Sequence, residues 1–418
     1  MHRVGPAVAL LLAVVFTACS GEPSGNVTVF EGARLIVGDL GAPIEDSVFL
    51  VENGRFLAAG RRGDVEAPSG AIRVDLTGKT VMPAIVDAHK HLAGTREALV
   101  DQLQHLAYYG VGAAISLGQD AGDLAFEVRE EAIPGAARLL TAGRGITTPE
   151  PGRSEVPYWI TTADEARAAV RDLAGRRVDL VKIWVDDRNG QYEKLDPELY
   201  RAVIEEAHSQ GLRVTAHLFT LEDARGLLEA GIDAFAHGVR DRDVDEELIA
   251  LVQERPNVIL VPNMPDRGVT VDLGWLSGTV PADELAQLQA ASQVRPQLQE
   301  TFGIQARNLA RLNDAGMTIA MGTDGATPWA AHLEMEDMVA SGMTPGEVIM
   351  AATRNGAALL ALDDAGTIHA GKSADFIVLD ADPLEDIRNT RRISAVYLRG
   401  DEVDRAALGE RWRNPPPP

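Results

Sequence analysis

Residues Val81–Leu92 read VMPAIVDAHKHL. Ala84-Ile85-Val86 is a short apolar run that leads into Asp87-Ala88-His89-Lys90-His91. Side chains two apart on a strand point the same way, so His89 and His91 project together from its C-terminal end, spaced to hold one metal ion. Imidazole suits zinc and its divalent neighbours. An HxH alone is common; what gives this one weight is the set of polar residues that close later strands.

Beyond this stretch the chain alternates strand and helix. Further strands are expected at 112–116, 138–142, 180–185, 213–217, 234–237, 258–262 and 318–322, after the first at 85–88. Helical patterns lie between them, among them 162–174, 197–210, 221–230 and 306–315, several opened by a capping residue or Pro and several closed by Gly. Eight strands alternating with helices predict an α/β fold, a (β/α)8 TIM barrel spanning residues 83–361, with its chemistry at the strand C-termini. Short strands with turns fill 27–82, where Asn53-Gly54 is a hairpin signal, and return at 362–410. The two ends together predict one small β-sandwich domain.

The expectation about strand ends is met five times. The first strand closes with His89 and His91, and the fourth carries Lys182 in Val181-Lys182-Ile183-Trp184. His217 closes the fifth, His237 the sixth, and Asp324 follows the eighth in Gly322-Thr323-Asp324. Four of the nine histidines fall at these positions. This set resembles the metal-dependent amidohydrolase superfamily, in its imidazolonepropionase-related and dipeptidase-like branch, as do the β-domain built from both ends and Ala374–Leu379 after Gly371-Lys372. Pro83-Ala84 departs from the family's usual Pro-Gly.

The resemblance implies two divalent metal ions, zinc foremost, bridged by a carbamate on Lys182. It implies His89, His91, Lys182 and Asp324 around one metal and Lys182, His217 and His237 around the other. Two metals about 3.5–4 Å apart lower the pKa of a water between them and polarise a carbonyl. Asp324 then serves as the catalytic proton carrier to the leaving atom. The implied reaction is hydroxide attack on an amide C–N bond of a dipeptide, N-acyl amino acid or cyclic amide. Alternatives stay open: a lactonase or esterase on the same metals, a mononuclear deaminase with Lys182 snorkelling to the rim, or a non-catalytic envelope binding protein.

Around the mouth, Arg240 is a candidate clamp for a substrate carboxylate. Tyr158, in the long segment 143–160, is a further substrate-facing candidate. His332, in a His-x-Glu with Glu334, is a candidate for substrate contact or for tying its loop to the site. Segment 263–300 is long enough for a lid, with Trp275 as an aromatic wall. His105 and His208, on helical patterns, are expected at the surface, and His369 is expected to be structural.

The N-terminus reads as a signal. Met1-His2-Arg3 is a basic start, 7–16 is apolar but too short for a membrane span, and Phe16-Thr17-Ala18-Cys19 resembles a bacterial lipobox. Residues 1–18 are thus expected to be removed, Cys19 to be lipidated and 19–26 to serve as tether, making an exported lipoprotein of the bacterial cell envelope. Cys19 is the only cysteine, so no internal disulfide is expected. A net charge of -23 argues against nucleic acid and anionic membrane surfaces as partners. The expected partner is a small-molecule substrate, the membrane being reached only through the lipid anchor; a homo-oligomer is left open.

Overall fold

The computed structural model describes residues 27–415; the expected signal, Cys19 and the tether lie outside the described residues. All eight expected strands form: β1 (Ile85–Lys90), β2 (Val111–Ser116), β3 (Arg138–Thr141), β4 (Val181–Trp184), β5 (Val214–His217), β6 (Ala234–Ala236), β7 (Ile259–Val261) and β8 (Thr318–Ile319). β1–β3 make one parallel sheet, and β4–β8 run in chain order through a second. Their residues are buried almost throughout, the pattern of parallel strands covered on both faces. Backbone bonds cross between the two sheets: Asp179 N–H donates to Thr141 O at 3.0 Å, and Ala88 N–H donates to Met321 O at 3.0 Å.

Two features of this region differ from expectation. Within 143–160, the short strands Ile146–Thr147 and Tyr158–Trp159 pair with each other and join β4 through Ile146 opposite Ile183. Much of 263–300 is helical too, with helices at Ala282–Ala291 and Pro296–Asp314.

The helices follow local rules. Arg96–Tyr108 starts after Thr95, whose side chain accepts from Ala98 N–H, and buries Leu99, Leu103 and Leu106 on one face. Each such leucine contributes about 1.5–3 kcal/mol when fully buried. Thr162 and Glu165 form a reciprocal capping box for Ala163–Gly175. Leu221–Ala230 ends at Gly231, in the left-handed conformation. Among the described residues, no helix is long and apolar enough to cross a membrane.

The chain's ends meet at the strand before β1. Thr80–Pro83 pairs antiparallel with Phe376–Leu379, placing Phe376 opposite Pro83. A second sheet, from Thr28–Glu31, Ser47–Glu52, Arg55–Arg61 and Ile72–Asp75, shares an aromatic core with it. Phe30 stacks on Phe49 at 4.9 Å, Phe376 stacks on Tyr397 at 4.6 Å, and Phe30 meets Phe376 edge-on at 5.1 Å. The Asn-Gly hairpin forms with Glu52 paired to Arg55, both turn residues having positive φ. This anchors the residues leading into β1, and therefore the first pair of histidines.

Candidate metal centre

The polar strand ends converge. His89 Nε2 lies 3.2 Å from Asp324 Oδ1, His91 Nε2 lies 3.1 Å from the same oxygen, and His237 Nε2 lies 3.6 Å from Asp324 Oδ2. His89, His237 and Asp324 each offer a ligand atom, all within 4.8 Å of one another, a spacing suited to a shared cation. The His217 ring stands 4.6 Å from that of His237, so the fifth strand's histidine adjoins the cluster. His237 and Asp324 both have positive φ, at 101° and 48°. Such conformations cost energy in non-glycine residues and concentrate where a site dictates side-chain direction. Gly322, two residues before Asp324, has no Cβ because one would come within 2.9 Å of His89 N.

Lys182 completes the arrangement. It is fully buried on β4, and its amine has no hydrogen-bond partner among the described residues. Gly118, at φ +90°, leaves room for it, since a Cβ there would press on Lys182 Cγ at 2.9 Å and on the Trp184 ring. Burial pulls the Lys182 amine down to about 7, with Arg188 adding to the effect and Asp324 opposing it. An amine of that kind is substantially neutral at neutral pH, with a lone pair to give.

Burial also favours the neutral form of His89, His217 and His237, the state that donates to metals. Burial pushes His89 and His237 well below 6.5 and takes His217 to about 4. Asp324 opens toward solvent, with 35% of its side chain exposed. Its partial burial works upward, but His89, His91, His237 and Lys182 outweigh that and hold it well below the carboxylate range. This donor set of four imidazoles, one ionised carboxylate and one unpartnered amine fits a divalent metal centre.

Several contributors were not expected from sequence. Asn263, one residue past the strand predicted at 258–262, accepts the His89 Nδ1 proton on Oδ1 at 2.9 Å and leaves Nε2 for a ligand. Asp186, just beyond β4, lies 2.9 Å from His217 Nε2 and pairs with Arg188 at 2.6 Å. Buried Asp87 accepts from Thr323 N–H at 3.1 Å and from Thr323 Oγ1 at 2.8 Å, fixing the turn that carries Asp324. The only local signal for these was a polar residue at or near a strand end.

The substrate-facing candidates divide. Arg240 lies beside the centre, its guanidinium 3.9 Å over the Phe219 ring, which itself packs on His217 at 4.4 Å. Burial lowers Arg240 to about 10, against Asp324 and Asp186. Tyr158 instead turns its hydroxyl to Asp172 on the next helix, and Arg144 covers its ring at 3.9 Å. His332 also departs from expectation: Nδ1 meets Thr390 Oγ1 and Nε2 meets Tyr109 O, both at 3.0 Å, leaving no free ring nitrogen. Its companion Glu334 does tie a loop down, accepting Met264 N–H at 3.0 Å next to Asn263. Trp275 packs against Tyr109, His332 and Arg391. His105, expected at the surface, stacks on Trp412 at 3.9 Å; His208 is exposed beside Asp233.

Comparison with known proteins agrees with this geometry. The model of the amidohydrolase family matches residues 80–403. Imidazolonepropionase of Streptomyces coelicolor is 28% identical over 362 residues, covering 81% of this chain and 86% of that protein. The structure of a provisionally named prolidase from Bifidobacterium longum superposes with a TM-score of 0.75 and 27% identity, covering 93% of this chain and 99% of that one. An Xaa-Pro dipeptidase with methionine in its active site shares the fold at a TM-score of 0.72 and 22% identity, covering 90% and 99%. The chain belongs to the amidohydrolase family and is a hydrolase of carbon–nitrogen bonds.

Proposed function

We propose that this protein is a binuclear metal-dependent hydrolase that cleaves an amide C–N bond in a dipeptide, N-acyl amino acid or cyclic amide. The observation that carries the reading is the Lys182 amine, sealed from solvent beside the histidines and without a hydrogen-bond partner among the described residues. A neutral amine adds CO2 and releases a proton, giving an anionic carbamate whose two oxygens can serve two cations. His89, His91, Asp324 and that carbamate would hold one ion, and His217, His237 and the carbamate the other. When bound, such ions supply an acidified water and a polarised substrate carbonyl.

The chain's own residues do the rest. Asp324, ionised at the open side of the cluster, takes a proton on its carboxylate and passes it to the leaving nitrogen. Arg240, held over Phe219, faces the substrate carboxylate expected of a dipeptide or N-acyl amino acid. The same reading treats the eight strands as one closed barrel, supported by the backbone bonds between β1 and Met321 and between Thr141 and Asp179. It divides the chain into that barrel at 83–361 and a composite β-sandwich from 27–82 and 362–410, supported by the shared aromatic core. It also takes Cys19 as the lipidated first residue of an envelope lipoprotein, which the mass of the mature N-terminal peptide tests.

The deciding experiment is metal content per chain in wild type and Lys182→Ala, purified with bicarbonate present. Two equivalents falling to one or none in the variant are expected, with hydrolysis of dipeptides or N-acyl amino acids lost in parallel. One equivalent that ignores the substitution would overturn the carbamate and turn attention to deamination.

A further inference from the structure

His217 is gripped from outside the cluster. Its Nε2 lies 2.9 Å from Asp186 Oδ2. Arg188 Nη1 donates to that same carboxylate oxygen at 2.6 Å, and Arg188 Nε donates to Glu150 Oε1 at 2.9 Å. Glu150, itself buried, takes Arg153 at 2.7 Å. The chain of contacts therefore runs from the segment after β3, through the segment after β4, to the ligand at the end of β5.

A carboxylate only accepts, so Asp186 calls for a proton on His217 Nε2. Neutral imidazole has one N–H and one lone pair, which leaves the lone pair on Nδ1. Arg188 Nη1 also passes 3.2 Å from Nε2, but two donors cannot bond, so its partner is Asp186. His89 is set the opposite way: Asn263 takes its Nδ1 proton, and Nε2 faces Asp324. On this assignment the lone pairs of the two histidines sit on different nitrogens, each selected by a partner from a different segment.

We propose that Asp186 is the positioning residue of His217, turning Nδ1 toward the metal, with Arg188 and Glu150 clamping Asp186 in turn. The proposal rests on the reading of His217 as a metal ligand. Carboxylate partners of ligating histidines fix the tautomer and ring direction, and losing one lowers metal affinity by about 10–100-fold. Asp186 touches one ligand of one ion, so its effect is confined to that ion. A residue that merely supports the fold would loosen both.

The test titrates metal-free protein with zinc in bicarbonate against a chromophoric chelator. It compares wild type with Asp186→Ala, Asp186→Asn, Arg188→Met and Asn263→Ala. Asp186→Ala is expected to weaken one of two equivalents by about 10–100-fold and leave the other unchanged. Asp186→Asn, which keeps an acceptor oxygen, recovers much of that loss. Arg188→Met weakens the same equivalent, and Asn263→Ala weakens the other. Equal weakening of both ions by Asp186→Ala, or of neither, overturns the proposal. If wild type holds a single ion, the binuclear reading falls. Asp186 is then judged on that ion: weaker binding in Asp186→Ala supports its role, and unchanged binding overturns it.

Discussion

Replacing Asp87 by alanine tests how the turn bearing Asp324 is held. Asp87 is fully buried and accepts His89 N–H at 3.2 Å, Thr323 N–H at 3.1 Å and Thr323 Oγ1 at 2.8 Å. Lys90, buried to the same degree, donates to Thr323 Oγ1 at 3.0 Å and to Thr327 O at 2.9 Å, with Asp87 3.9 Å away. Burial pushes Asp87 up and Lys90 down, and their mutual attraction works against both shifts. Asp87→Ala leaves the Lys90 ammonium without its counter-charge and should cost about 3–5 kcal/mol, the usual penalty for half of a buried pair. In a Lys90→Met background no ammonium is stranded, and the same change costs only the lost hydrogen bonds, about 1–3 kcal/mol. Urea unfolding of metal-free protein, followed by tryptophan fluorescence, gives the four corners of the double-mutant cycle. Coupling of about 1–3 kcal/mol is expected. Costs that add to within about 0.5 kcal/mol would refute the claim that the two charges act as a pair.

Two further outcomes follow from named groups. Arg240→Met should raise KM for substrates bearing a free carboxylate by about 10–100-fold, the loss of a charge-assisted bond of about 1.5–3 kcal/mol, while kcat changes little. An equal loss on carboxylate-capped amides would show that Arg240 does not read that group. Burial holds His332 at about 3, below the 6.5 of an unfolded histidine. Because the unfolded chain then binds the extra proton, this contribution is complete above pH 6.5 and declines as pH falls towards 3. At pH 5 the loss is about 2 kcal/mol. His332→Gln should flatten the acid side of the stability profile of metal-free protein by that amount, and an unchanged slope would contradict it.

What could be read from the sequence, and what could not, divides along a physical line. Strand ends were legible because a parallel strand is a dense apolar run, and a His or Asp that stops such a run stands out. That marks His89, His91, His217 and His237 at or next to the ends of their strands and Asp324 in the turn beyond β8, while Lys182 stands out as a charged residue inside the apolar run of β4. Residues whose role depends on a partner far along the chain carry no such mark. Asn263 is bonded to a residue 174 positions earlier, and His105 is covered by Trp412 from the C-terminal helix Arg405–Arg413. The strands at 146–147 and 158–159 are two residues each, too short to show a period. His332 misled for a related reason. Its place just after β8 put it near the mouth, but it lies on the helix Ala330–Ala340, which hands its ring to Thr390 and Tyr109. On the proposed reading, the strand ends set which residues would meet a metal, whereas segments distant in sequence set which nitrogen His89 and His217 would offer. Substitutions at Asp186 and Asn263 should accordingly change how tightly each ion is held while the six expected ligands remain in place.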